Sequence, residues 1–493
     1  VEGSQEVDGK VALDNDVISA QVTSDLPNPS DLAHKLSNVQ VIDDYSQFKN
    51  HVKTSSIRVL ENGVDVTSQY TIEDNAGTGI ITATRKDPSS TPAGKVQMNV
   101  SFQINADTPS DTTFKNTPVS VINKSRVTGQ EVTLTTYKPT TDKHWTEGSQ
   151  VVDDKTYIAS DTINARIEMS LPDPSTLTKK LTKVQLVDDY TQLAKYVSDP
   201  SDIRVEENGK DVTDQYTIAT ANGHITATRK TPGTTPGGTV ALIAHFKINA
   251  NTPSGTKLVN VGSGTLNNET VPTNNPTVKT YTQTTDKHWT EGSQVVDGKV
   301  YIDASETHTD VTMSLPDPAT LAKKLTKVAI TDDYSKFAQY VDYKSAKVLE
   351  NGNDVTGQYT ISVANGKVTA TRKNAAAAPK GTLELDVDWT VHTDVPSNTQ
   401  LINTGSGTID NDTVPTPNRT IVTYKQDTDK HWVSGGQNVD GKVAIKDDNV
   451  TAQVNMTLPD KSKLGGSINK VQLTDDFSKF AKDVTVQAVH VYE

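Results

Sequence analysis

Residues 216–229 read Tyr-Thr-Ile-Ala-Thr-Ala-Asn-Gly-His-Ile-Thr-Ala-Thr-Arg. Asn222-Gly223 separates two alternating runs, and Asn-Gly between such runs is the strongest short signal for a β-hairpin with a type I′ turn. Residues 359–372 repeat the pattern around Asn365-Gly366. Runs such as 165–171 (ARIEMSL) and 240–248 (VALIAHFKI) also alternate apolar and polar residues. The chain therefore reads as strands with one buried and one wet face.

The hairpin belongs to a larger repeat. Asp-Lys-His-Trp ends at Trp145, Trp289 and Trp432, which lie 144 and 143 residues apart. Each copy carries the same landmarks in the same order: a Leu-Pro-Asp segment (Leu-Pro-Asn in the first copy), Asp-Asp-Tyr or Asp-Asp-Phe, Glu-Asn-Gly and Thr-Ala-Thr-Arg-Lys, where the copy extends far enough. A period this long marks whole domains rather than solenoid turns. The expected domains are residues 1–139, 140–283, 284–426 and 427–493, the first and last read as incomplete copies. Val1 opens the chain without a leader or initiator Met, which reads as an excerpt of something longer. Seven or more short strands per copy predict tandem immunoglobulin-like β-sandwiches, mainly β, with short helical insertions. Two helices are expected per copy. One starts at Asp317-Pro318, with Asp as cap and Pro at the first helical position; the other follows Asp332-Asp333-Tyr334.

Composition removes several function classes. Lys plus Arg is 48 against 61 Asp plus Glu, a net charge of −13. Nucleic-acid backbones call for the opposite sign. Without a single Cys, disulfides, thiolate metal sites and Cys nucleophiles are excluded. No run approaches the roughly 18 apolar residues of a membrane helix. Nothing resembles a nucleophile elbow, a phosphate loop or a catalytic metal site, so an enzyme acting on external substrates is not expected, nor is a cofactor.

Strand parity isolates one constellation. In the strand before the Asp pair, Val184, Leu186 and Asp188 share a face, as do Val328, Ile330 and Asp332. Val39, Val41 and Asp43, and Val471, Leu473 and Asp475, follow the same rule. Late in each copy, Leu258 is in phase with Asn260, Leu401 with Asn403 and Phe114 with Asn116. Lys143, Lys287 and Lys430 each lie two residues before a Trp and share its face. Each copy thus aims Lys, Asp and Asn at one interior, and the Lys-to-Asp spacing is 45 residues every time both are present. Burying such charges costs several kcal/mol, so the placement has a use. One is a buried salt bridge with a hydrogen-bonding Asn. The other is chemical: desolvation favours a neutral amine and a protonated carboxyl. The amine attacks the Asn side-chain carbonyl, the Asp relays protons and ammonia leaves.

These motifs resemble the C-terminal domains of streptococcal antigen I/II-type surface adhesins and related lactobacillar isopeptide-forming adhesins. The resemblance rests on the Lys of Asp-Lys-His-Trp, on Val187-Asp-Asp-Tyr190 and Thr331-Asp-Asp-Tyr334, and on the late Asn strand followed by Val-Pro. It implies Lys143–Asn260 and Lys287–Asn403 isopeptide crosslinks, helped by Asp188 and Asp332. Asp43 and Asp475 are the equivalent helpers, and Asn116 and Lys430 have no crosslinking partner in their own copies. It also implies the elaborated (DEv-IgG) type of immunoglobulin-like sandwich, and a cell-wall-anchored, extracellular bacterial surface protein whose full-length form meets a host surface glycoprotein.

Alternatives stand beside this reading. Asp189 or Asp333, the second of each pair, is the other choice of helper. Calcium favours clustered oxygen ligands, yet no EF-hand-like loop accompanies the Asp pairs, so the second Asp reads as a cap. His144 lies on the opposite face from Lys143, without ligand-spaced partners for a metal. The functional classes are a structural stalk and, as the alternative, repeats that themselves bind a host glycoprotein or carbohydrate. Trp389 alone departs from the shared Trp pattern and is the thin support for the second.

Overall fold

The computed structural model describes residues 1–250, 252–302 and 306–493, arranged as two compact units, Val1–Thr280 and Tyr281–Glu493. Strands dominate both, and regular helices are limited to single 3₁₀ turns among the described residues.

In the first unit, residues 141–281 show the pattern most fully. One sheet runs in the order Gln150–Val151, Thr141–Glu147, Thr162–Leu171, Gly238–Lys247, Ser201–Glu207 and Lys210–Asp211. The opposing layer orders Tyr216–Ala221, His224–Arg229, Val184–Asp189, Val261–Leu266 and Glu269–Pro272, with Thr156–Ile158, Thr277–Tyr281 and Lys257–Val259 forming a further short sheet. Strict alternation drives this. Ile163, Ala165, Ile167, Met169 and Leu171 are all buried while their neighbours are exposed or half-buried. The inner faces meet in a core that includes Leu186, Ile225, Leu242 and Phe246. In the second unit, Thr285–Glu291, Glu306–Leu315, Gly381–Val391 and Val341–Glu350 form the same central run of one sheet. Gln400–Ile409, Val328–Asp333 and Lys367–Arg372 form that of the other.

The Asn-Gly turns are as expected: Asn222 and Gly223 have φ of 52° and 77°, and Asn365 and Gly366 have 54° and 73°. Asn208-Gly209 forms a further turn of this kind, with φ of 52° and 77°.

The two helices per copy do not form. After Leu315 the chain makes one turn, in which Asp317 Oδ1 accepts from Ala319 N at 3.0 Å and Asp317 O from Thr320 N at 3.1 Å. It is then recaptured by the sheet, because Thr326 N donates to Asp410 Oδ1 at 2.6 Å. After Tyr334 only Ala338–Tyr340 forms a 3₁₀ turn, since Phe337 is drawn into the core and Val341 begins the next strand. The second Asp of each pair caps the turn that follows: Asp189 Oδ1 accepts from Thr191 N at 3.0 Å and Asp333 Oδ1 from Ser335 N at 3.1 Å.

A second correction concerns residues 471–475, expected as a strand with Val471 and Leu473 inward. They form no strand, and these side chains are 54% and 43% exposed. In the complete repeat the equivalent strand, Val184–Asp189, is hydrogen-bonded on both edges. The copies of Thr-Ala-Thr-Arg and of the Asn strand that flank Val184–Asp189 have no counterpart in residues 427–493.

Three landmarks of the repeat meet in one clamp between the layers. Arg229 Nε lies 2.7 Å from Glu207 Oε1, and Tyr216 Oη donates to the same carboxylate at 2.8 Å. Glu61, Arg85 and Tyr70 repeat this arrangement, as do Glu350, Arg372 and Tyr359. The Glu comes from Glu-Asn-Gly, the Tyr from Gln-Tyr-Thr and the Arg from Thr-Ala-Thr-Arg. Both ionic side chains are 5% exposed, so removing one strands the other charge. We expect Glu207→Ala to destabilise its repeat by about 3–5 kcal/mol, against less than about 1 kcal/mol for the exposed pair member Asp202→Ala, read by chemical denaturation.

Candidate functional site

Lys143 sits on Thr141–Glu147, the outer of the long strands of its sheet, opposite Ile167. Asp188 comes from the centre of the facing layer, opposite Gly262. Asn260 lies in the bend between Lys257–Val259 and Val261–Leu266. All three side-chain-bearing residues are 0% exposed. Lys143 Nζ stands 2.9 Å from Asp188 Oδ1 and donates to the Val261 carbonyl at 2.7 Å. Asn260 Nδ2 donates to Asp188 Oδ2 at 3.3 Å, while Asn260 Oδ1 has no partner.

The second unit repeats the convergence with different bonding. Lys287 Nζ donates to Asp332 Oδ2 at 2.6 Å, and Lys287, Asp332 and Asn403 are again 0% exposed. Both amide atoms of Asn403 and Asp332 Oδ1 lack a partner. Burial pushes the Lys143 and Lys287 amines below the usual lysine range, opposed by the facing carboxylates. Burial likewise pushes Asp188 up, opposed by Lys143 and by the Asn260 amide. Each direction favours a neutral amine facing a protonated acid, the state in which the amine is a nucleophile.

The outer two copies hold parts of the set. Asp43 is fully buried and neither oxygen has a hydrogen-bond partner; Asn116 is the nearby amide. A cavity of about 250 Å³ beside Asn116 is lined by Ile18, Ala20, Phe48, Phe102 and Phe114. Lys430 pairs with Asp475, but there the two side chains are 38% and 35% exposed. Asp189 and Asp333, the alternative helpers, sit at the strand ends and are occupied by Thr191 and Ser335. The His of the motif is held by carboxylates: His144 Nδ1 is 2.7 Å from Asp153 and Nε2 is 2.8 Å from Asp142. Among the described residues no group of three His, Asp or Glu side chains is arranged to hold a metal.

Several contributors escaped the sequence reading. Asn274 accepts from Lys143 N at 2.6 Å and donates to Lys143 O at 2.8 Å, pinning the lysine strand. Arg419 donates to Lys287 O at 2.7 Å. Gly262 and Gly405 let the two layers approach closely: a Cβ on Gly262 would meet Val187 O at 2.6 Å and Ile167 Cδ1 at 2.7 Å, with Lys143 Nζ 3.5 Å away, and one on Gly405 would meet Thr331 O at 2.7 Å. The signal was visible in Val261-Gly-Ser-Gly264 and Thr404-Gly-Ser-Gly407, where Gly recurs every second residue on one strand face.

Two predictions follow from this geometry. Gly262→Val should expel Lys143 from its seat while Gly255→Ala, at an open turn, should leave it. Trypsin accessibility of Lys143 reads the difference. The second concerns Asp43, which burial pushes up to about 7, tempered by Asn116. A raised carboxyl pKa stabilises the fold below the unfolded value of about 4, and that contribution is lost as pH rises towards 7. Asp43→Asn should therefore stabilise the first repeat at pH 8, by on the order of 4 kcal/mol, and change little at pH 4. Hydrogen exchange of Val39–Asp44 measures it; equal protection at both pH values in the parent chain would contradict it.

The sequence profile of the cell surface antigen I/II C2 terminal domain matches residues 2–135, 137–280 and 278–419. Among solved structures, the chain is similar to the C-terminal domain of the Streptococcus pyogenes antigen I/II-family protein AspA. They share 14% identity and a TM-score of 0.48, covering 58% of this chain and 99% of that one. The Streptococcus agalactiae AgI/II polypeptide BspA C-terminal domain gives 13% identity and 0.47, covering 58% and 100%. The Bacillus cereus major pilin subunit BcpA gives 12% and 0.28, covering 83% and 98%. No curated protein sequence matches the chain. The chain belongs to the cell surface antigen I/II C2 terminal domain family, which its copies repeat in tandem.

Proposed function

We propose that this chain is a structural stalk of a cell-wall-attached, extracellular bacterial adhesin, hardened by self-formed Lys–Asn isopeptide bonds. The observation that carries the reading is the convergence of Lys143, Asp188 and Asn260, and of Lys287, Asp332 and Asn403, at zero exposure. A salt bridge alone leaves the Asn403 amide without a partner in a dry interior, a costly state. The reaction gives the amide a purpose. The neutral Lys143 Nζ attacks the Asn260 side-chain carbonyl carbon and a C–N bond forms. Protonated Asp188 gives its proton towards the departing nitrogen and recovers the one lost by the amine, so the old C–N bond breaks, ammonia leaves and the acid ends as it began. No cofactor enters, and each site turns over once.

The division into residues 1–139, 140–283, 284–426 and 427–493 belongs to the same proposal. Neighbouring repeats are docked within each unit by one kind of contact. Val11 pairs with Leu177, and Lys10 Nζ donates to Ser175 O at 2.9 Å. Val300 pairs with Leu464, and Lys299 Nζ donates to Ser462 O at 3.3 Å. Repeated docking of this kind suits repeats that pass load to their neighbours. Contact with a host surface glycoprotein is assigned to the longer protein rather than to these repeats.

Lys143 opens its repeat and Asn260 lies near its end, so the crosslink joins the two layers and closes a loop of more than 100 residues. By analogy with disulfides, such a closure stabilises by roughly 4–5 kcal/mol through the unfolded state. Tension entering at the lysine strand would pass through the bridge and bypass the core. Digestion should yield a branched peptide joining Lys143 to Asn260, absent in Asp188→Ala, and single-molecule pulling should show the Asp188→Ala repeat extending by most of its contour length. A parent repeat that extends equally far overturns the proposal.

A further inference from the structure

Trp389, set apart in the sequence, has a place in the second unit's site. Its indole Nε1 donates to Thr309 Oγ1 at 2.9 Å, and Thr309 Oγ1 donates to Asp332 Oδ2 at 2.7 Å. Lys287 donates to that same oxygen at 2.6 Å. All members of this chain are buried, with Trp389 at 0% and Thr309 at 1% exposure. The strand register identifies the counterparts in the preceding copy. Thr309 lies opposite Trp289 as Ala165 lies opposite Trp145, and Trp389 lies opposite Thr307 as Phe246 lies opposite Ile163. The Asp188 site therefore has neither the hydroxyl nor the indole. Its Oδ2 takes the Asn260 amide instead.

We propose that the Trp389–Thr309 pair is a rate-setting positioning device for crosslinking at Lys287, making that site slower to close than the Lys143 site. This rests on the isopeptide reading above. The indole occupies the hydroxyl's acceptor side and so orients its proton onto Asp332. Two donors on one carboxylate oxygen favour the ammonium–carboxylate pair over the neutral amine and acid that react. The Thr309 hydroxyl donates to Asp332 and the Asn403 amide has no hydrogen-bond partner, so Thr309 acts through Asp332. Removing a hydrogen bond to a charged group shifts such an equilibrium on the order of tenfold or more.

The test uses the full chain, isolated unfolded in denaturant and refolded by dilution at several pH values. Samples are quenched in acid over time, and the Lys143–Asn260 and Lys287–Asn403 branched peptides are quantified after digestion. The Lys143 crosslink should form about tenfold faster. The double change Thr309→Val with Trp389→Phe should accelerate the Lys287 crosslink towards the Lys143 rate, whereas Thr309→Ser should leave it slow. The reciprocal change, Ala165→Thr with Phe246→Trp, should slow the Lys143 crosslink. A packing role alone would make every core change slower, so acceleration is the distinguishing result. Equal rates at the two sites, or a Thr309→Val/Trp389→Phe chain no faster than the parent, overturn this inference. If neither peptide loses ammonia at all, it is the isopeptide reading that fails.

Discussion

The structure turns on a lysine amine buried against an aspartic carboxyl between two apolar sheets. Desolvating either group alone is prohibitive, and their mutual attraction returns that cost only with good geometry. The surrounding residues serve this requirement. Gly262 and Gly405 let the two layers approach closely. Asn274 and Arg419 hold the lysine strand by its backbone. The Asp strand sits at the centre of its layer, hydrogen-bonded on both edges, where its carboxylate cannot swing to water.

That constraint explains why the repeats keep the landmarks they keep. The sandwich needs alternation alone, which many sequences supply. The recurring Lys, Asp and Asn are additional, as is the Glu–Arg–Tyr clamp that locks the layers from other strands of the same two sheets. In residues 427–493, which hold no counterpart of the Asn strand, the geometry is looser. Lys430 and Asp475 still meet, but in a half-exposed setting, and residues 471–475 do not form a strand.

Much of this was legible from spacing and parity. The period of the Asp-Lys-His-Trp motif gave the tandem repeat, Asn222-Gly223 gave the hairpin, and counting by twos put Asp188 and Asn260 on inward faces. The helices were not legible because their start signals are genuine caps. Asp317 does cap a turn, and the bond from Thr326 to Asp410, at the end of the neighbouring strand of the same sheet, returns the chain to the ladder. The glycine clearance and the Trp389–Thr309 bond depend on cross-strand register, which a single strand's pattern does not contain. Trp389 stood out by composition, but its partner became visible only when the strands were paired.

The central claim is that buried Lys and Asn side chains become one amide. The intact mass of the full chain, measured under denaturing conditions, tests it most directly. Two complete sites predict a mass below that of the sequence by two ammonias, with Asp188→Ala falling short by one beyond the substitution itself. A mass equal to the unmodified sequence would contradict the account and leave a buried salt bridge beside an unsatisfied asparagine.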